Sequence, residues 1–238
     1  STHDDVTLTA LENTASILDD GTIADGSARV VGRDIVLVAG LLSGRVGGPG
    51  LFGTGFGGDP LEIDSSYSAR GGVFVIAGGD IRLVETDGDY YGIFARSLTG
   101  DLGIQTRNGS IRNDVDDRST RFVARNIDLV ASGAVGASTA DFSGDLYIDT
   151  AETGRLVAFS GAPRLAGVFI TEATGSLSVL LAVALGGLLD LLQALAHHGL
   201  VEDRLLARQR RGDDLLGLLG QVGDDLGVGL QAAHHERP

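Results

Sequence analysis

At 238 residues, with 43% hydrophobic but only 5% aromatic side chains, the chain can bury a sizeable core, though not one built on large aromatic anchors; its 37 glycines suit many tight turns. A net charge of −14, with arginine as the only basic residue besides histidine, excludes the basic surface that nucleic acid or an anionic membrane requires. No cysteine is present, so disulfide frameworks and thiolate metal sites are excluded as well.

In chain order, Ser1 opens without the basic, apolar and small-residue pattern of a signal peptide, which reads as a mature or excised piece. Asp5–Asp20 (DVTLTALENTASILDD) and Gly32–Gly40 (GRDIVLVAG) follow as strand-like runs. The loop Leu41–Pro60 holds GTGFGG (Gly53–Gly58), a formal match to the dinucleotide fingerprint. That fingerprint needs a helix after it, to meet phosphate at the helix N-terminus. Here Asp59-Pro60 and a strand follow, so the segment reads as a loop insertion.

Next come GDPLEIDSSYS (Gly58–Ser68) and GGVFVIAGGDIRLVE (Gly71–Glu85). Period-two alternation marks both: Leu61 and Ile63 oppose Glu62 and Asp64, and Ile81 and Leu83 oppose Arg82 and Val84. Then the text begins again. Asp101–Asp117 (DLGIQTRNGSIRNDVDD) lies over Asp5–Asp20, and Ala124–Ser132 (ARNIDLVAS) over GRDIVLVAG. Gly144–Thr153 (GDLYIDTAET) lies over the Gly58 segment, and Ala166–Leu180 (AGVFITEATGSLSVL) over the Gly71 segment. Gly-Gly, Asn-Gly, Gly-Asp and Asp-Gly turns separate the runs, and no helical pattern intervenes.

Four segments recurring in one order signal a repeat architecture. A sandwich has no reason to repeat itself in order, whereas stacked rungs each need a neighbour like themselves. The expectation is an all-β parallel β-solenoid over residues 1–179, in two copies at about 4–97 and 98–179. Each turn should take roughly 20–25 residues, with neighbouring turns about 4.8 Å apart. Repeated phrases should then fall at equivalent wall positions several turns apart.

After Val179 the composition changes: residues 180–238 contain no Ser, Thr, Asn, Ile, Phe or Tyr. Every residue type in this tail can be encoded by a codon beginning with G or C, the mark of a frameshifted GC-rich gene. The alternative is a helical cap, because Leu181, Leu185, Leu188, Leu189, Leu192 and Leu195 fall at helical spacing. The apolar run Val179–Leu189 is too short to span a bilayer.

Candidate chemistry is sparse. Asp87 and Asp89, and Asp114, Asp116 and Asp117, begin to supply the oxygens calcium needs, but no calcium-loop pattern surrounds them. Asp114, Asp116, Asp117, Arg118 and Arg121 form the one crowded group in which a polysaccharide-cleaving carboxylate pair could sit. His3, His197, His198, His234 and His235, with Glu202 and Asp203, offer weak zinc spacing. Tyr67, Tyr90, Tyr91 and Tyr147 could stack on sugars or pack along a wall. No residue is assigned a catalytic, cofactor-binding or metal-binding role.

The phrases NIDLVASGAVGAS, GDLYIDT and GVFITEATGSLSV resemble the repeats of large bacterial surface proteins of the filamentous-haemagglutinin-like kind, over about residues 4–179. The resemblance implies a secreted or cell-surface structural or adhesive segment. Such a segment is non-enzymatic, stacks on further repeats of a longer chain and has host or surface glycans or proteins as partners. It implies no functional residues. The competing expectations are a β-helix polysaccharide lyase or hydrolase and a calcium-stabilised binding module.

Overall fold

The structure, a computed structural model, describes residues 4–19, 27–48, 59–66, 70–115, 117–137, 144–161 and 167–185. They lie in the first of two compact units, Ser1–Leu188. The first seven strands are β1 (Val6–Thr9), β2 (Val30–Val31), β3 (Ile35–Val38), β4 (Leu61–Asp64), β5 (Val73–Ala77), β6 (Ile81–Glu85) and β7 (Tyr90–Ser97). Then come β8 (Leu102–Thr106), β9 (Ile111–Asn113), β10 (Phe122–Ala124), β11 (Ile127–Ala131), β12 (Leu146–Thr150), β13 (Leu156–Ser160), β14 (Ile170–Glu172) and β15 (Val179–Ala184).

The strands alternate between two walls. The first wall runs β1-β3-β5-β7-β10-β12-β14 and the second β2-β4-β6-β8-β11-β13-β15, while β9 pairs with the start of β7. Every neighbouring pair is parallel. A parallel neighbour reached only after visiting the opposite wall defines a parallel β-solenoid. One turn takes as few as 19 residues (Val73 to Gly92) and as many as 38 (Ile35 to Val73), because loops of different length leave the walls.

Alternation decides what fills the lumen. Ile35, Leu37, Val73 and Val75 from the first wall meet Ile63, Leu83, Ile104 and Leu129 from the second, all fully buried. Burying each such side chain contributes about 1.5–3 kcal/mol. The outer face of the second wall departs from the expected polar-out pattern. Glu62, Arg82 and Asp128 point away from the lumen and are nevertheless buried.

Two loops leave the walls in the same way. Val46 stacks on Ile81 and Leu61 on Leu83, so the wall breaks off at Gly47, beside Arg82 of the next layer. Likewise Val135 stacks on Val168 and Leu146 on Ile170, so the wall breaks off at Gly136, beside Phe169 of the next layer. Each exit begins on a glycine in the left-handed region, Gly47 (φ 76°) and Gly136 (φ 74°). A side chain there would be driven into the backbone carbonyl of Arg82 or Phe169. The fingerprint segment Gly53–Gly58 lies outside the described residues.

These matched exits show how the repeat is laid out. With β9 set aside, β3 and β11 are seven wall strands apart, as are β1 and β8, and β4 and β12. An odd count changes wall. GRDIVLVAG and ARNIDLVAS therefore do not occupy equivalent positions on one wall: β3 is in the first and β11 in the second. The physical reason is that both walls present the same alternating apolar row to a shared lumen, so one phrase serves either. The same count corrects the last aligned segment. Seven wall strands on from β6 is β14, so DIRLVETDG (80–88) matches GVFITEATG (167–175). This sets Glu85 over Glu172, and left-handed Gly88 over left-handed Gly175.

The compositional boundary after Val179 does not end the solenoid. β15 crosses it and pairs with β13 as far as Ser160↔Ala184. By the same count β15 repeats β7, with Leu181-Ala182 in the place of Phe94-Ala95. Leu181, read as part of a helical stripe, is therefore in a strand. Leu188, Leu189, Leu192 and Leu195, and with them the frameshift and helical-cap readings, lie outside the described residues. Among the described residues no helix is long and apolar enough to cross a membrane.

Candidate functional site

Between the strands, polar side chains of one layer cap backbone N–H groups of the next. The Ser16 hydroxyl oxygen accepts from the Arg45 N–H at 2.9 Å, and the Asp34 carboxylate from the Gly72 N–H at 2.9 Å. Seven wall strands later Ser110 accepts from Ala134 at 3.1 Å, and Asn126 from Arg155 at 2.9 Å. Asp80 and Asp89 make further bonds of this type, to Asp101 at 3.0 Å and Ser110 at 2.7 Å. Each satisfies an amide at a corner, where the sheet ladder cannot. For the first two the sequence carries a signal, since a short polar residue stands at the matching place in the other copy, Ser16 with Ser110 and Asp34 with Asn126.

The most buried of these devices is Glu85, at the inward-facing end of β6. Its carboxylate accepts from the Ser65 N–H at 3.0 Å and the Ser65 hydroxyl at 2.6 Å. Burial pushes its pKa up to about 8; the Ser65 bonds and the backbone near Asp87 oppose this, and Asp64 adds to it. Burial also pushes the Tyr90 hydroxyl upward, with Glu85 adding to the effect. Tyr90 packs edge-on against Phe122, with ring centroids 6.1 Å apart. In the second copy Glu172 accepts from the Thr150 N–H at 2.8 Å and from the Thr150 hydroxyl. Its pKa is raised too, chiefly by burial. Glu85 is completely buried, so it can hold two layers together but cannot meet a substrate.

Of the acidic turns expected to attract calcium or to cleave sugar, Asp87 and Asp89 stand between β6 and β7, and Asp114 and Asp117 between β9 and β10. Asp89 accepts from Arg112 Nε at 3.1 Å and from the Tyr91 hydroxyl at 3.2 Å. The Arg70 guanidinium lies over the Tyr91 ring, 4.1 Å from its centroid, and bonds the Asp114 carbonyl and carboxylate. Asp117 pairs with Arg121 at 2.7 Å; the Ser119 backbone bond is the largest cause of its lowered pKa. Asp87 caps the Gly88 N–H at 3.1 Å. Arginine or backbone amides thus engage Asp87, Asp89, Asp114 and Asp117. Among the described residues no group of three or more His, Asp or Glu is placed to hold a metal ion.

Arg118 stands in the left-handed region (φ 61°) beside this cluster. Tyr147 lies half-buried on β12. Asp116, Tyr67, His3, His197, His198, Glu202, Asp203, His234 and His235 lie outside the described residues. The surface that sequence reading overlooked is an outward stripe on the first wall. Val36, Phe74 and Phe94 are register partners there, half-exposed, with the two phenyl centroids 5.8 Å apart. Comparison of the chain with known protein families, with characterised proteins and with solved structures gives no match.

Proposed function

We propose that this chain is a structural and adhesive segment of a secreted or surface-displayed bacterial repeat protein and is not an enzyme. One observation carries the reading: the inter-layer caps recur in both copies, Ser16 with Ser110, Asp34 with Asn126 and Glu85 with Glu172. Polar side chains kept in both copies join layer to layer, which is what a load-carrying stack requires. The adhesive part rests on the outward stripe Val36-Phe74-Phe94. Apolar and aromatic side chains held on a stiff sheet offer contact area at little cost in ordering.

The test is retention of beads coated with the chain on immobilised polysaccharides and matrix proteins, with soluble products assayed in parallel. Retention that is weakened by Phe74→Ser and Phe94→Ser, without released sugar, is the expected result. Release of reducing ends or unsaturated sugar overturns the reading in favour of a polysaccharide-cleaving enzyme.

A further inference from the structure

The two wall breaks are closed by the same bond but carry different chemistry. At the second, the Ala137 N–H donates to the Gly144 carbonyl at 2.7 Å. At the first, the Gly48 N–H donates to the Asp59 carbonyl. The left-handed glycines Gly136 and Gly47 precede the two donors, and Leu146 and Leu61 open the strands that follow, so the bonds are equivalent. Gly144 brings no side chain to its carbonyl. Asp59 brings a carboxyl group, and its peptide bond leads to Pro60, the one Asp-Pro bond in the chain.

Three features converge on that bond. An aspartate carboxyl reaches its own backbone carbonyl carbon by closing a five-membered ring. The proline nitrogen belongs to a tertiary amide, has no N–H and leaves as a more basic amine than an ordinary residue does. The Gly48 N–H already points at the oxygen on which negative charge grows when that carbon is attacked, as a donor of an oxyanion hole does.

Packing holds these parts in place. A Cβ at Gly48 would meet the Asp59 Cβ and the Asp59 carbonyl oxygen, each at 2.7 Å, so only glycine lets the donor come this close. The Asp59 Oδ1 atom is buried and has no hydrogen-bond partner among the described residues, which leaves it unquenched as a nucleophile. Asp59 as a whole is half-buried and Pro60 is buried.

We propose that the chain cuts itself between Asp59 and Pro60. An Asp59 carboxyl oxygen adds to the Asp59 carbonyl carbon, and the carbon–nitrogen bond to Pro60 breaks. The carboxyl proton passes to the departing nitrogen, which leaves Pro60 as a free amine and Asp59 as a cyclic anhydride. Water then opens the anhydride to two carboxyl groups. The net change is hydrolysis of one peptide bond, with water as the other reactant. The pieces stay together, because β2 pairs with β4 and β3 with β5 across the cut. The reaction acts once, on its own chain, and does not depend on whether the outer wall is adhesive.

The test follows the intact mass of the freshly purified full chain at neutral pH, with and without concentrated urea. One preorganised donor is worth about 10²–10³ in rate, so residues 1–59 and 60–238 should appear on the order of 10²-fold faster from the folded chain than from the unfolded one. They should separate under denaturing conditions and run as one species on a native gel. Dilute hydroxylamine should leave a hydroxamate on the Asp59 side chain, a product that the cyclic anhydride gives and direct hydrolysis does not. Asp59→Ala should stop the cut, and Pro60→Ala, which keeps the carboxyl group, should slow it. The Gly144–Asp145 bond should stay intact throughout. The comparison of folded with unfolded parent holds even where a variant fails to fold. A mass that does not change, a cut no faster in the folded chain, or fragments without the side-chain hydroxamate overturns the proposal.

Discussion

Glu85 and Glu172 are one device in two settings. Each ends an inward-facing row, each accepts from a hydroxyl residue's N–H and side chain one layer away, and in each case that residue closes an Ile-Asp-Ser/Thr strand end. Glu85 has layers on both sides and is sealed; Glu172 lies in the last strand of its wall and keeps contact with water. The direction of the pKa shift is common to both, and burial is its first cause in each. In a stacked protein a residue's chemistry is therefore set by its depth in the stack as much as by its local sequence.

The contrast between middle and end can be broken or sharpened experimentally. The largest effect is expected in the core: Ile104→Ala, fully buried in the middle, should cost about 2–5 kcal/mol of unfolding free energy. Ile170→Ala, half-exposed in the last first-wall strand, should cost a fraction of that. Equal denaturant midpoints for the two variants would show that depth in the stack does not set stability.

Glu85→Gln comes next. With the folded pKa of Glu85 near 8, above the ordinary 4.5, its contribution is full below pH 4.5 and is lost as pH rises toward 8. The glutamine variant should match the parent near pH 4.5 and gain on it at pH 8 and above, by on the order of a few kcal/mol. Glu172→Gln should shift in the same sense by less. Melting curves across this range check both, and a parent that is more stable at pH 8 than at pH 5 relative to its glutamine variant contradicts the burial.

The loop exits are a smaller and more symmetrical test. Gly47→Ala and Gly136→Ala each force a side chain into the left-handed region and should each cost about 1–2 kcal/mol or more. Thermal shifts that differ widely between the two would break their equivalence. The smallest effect belongs to the surface: Arg112→Gln removes a partly exposed ion pair and should change stability by less than about 1 kcal/mol. A large loss there would mean that the Asp89 cluster bears load.

Strands, turns and the inward row were legible because a period of two is a direct record of which side faces the lumen. Ile127, Leu129 and Ala131 read as one face and are one buried row. The wall to which each strand belongs was not legible, since the two walls make identical demands on an inward residue and parity of the strand count leaves no mark on composition. Burial of Glu62, Arg82 and Asp128 was hidden for the opposite reason: charge at an outward position reads as solvated. Gly103 offers a partial cue, because the Arg82 side chain lies across it where any Cβ would collide. At the compositional boundary one strand, β15, runs across as far as Ala184. Leu180 and its neighbours look foreign as a population but occupy the β7 pattern residue by residue. Of the candidate site, the acidic turns and Arg121, the partner of Asp117, were foreseen; Arg70 and Arg112, drawn from other layers, were not.

The odd strand count also has a geometric result. The breaks at Gly47 and Gly136 stand in opposite walls, the first beside β4 and the second beside β12. A repeat of whole turns would line all its outgrowths along one flank, like teeth on a comb. A repeat of seven half-turns sets successive outgrowths on alternating flanks, like leaves on a stem. Lengthening such a protein by one copy adds an outgrowth to the side left bare by the last, so two opposed surfaces are furnished at the same rate from a single duplicated unit.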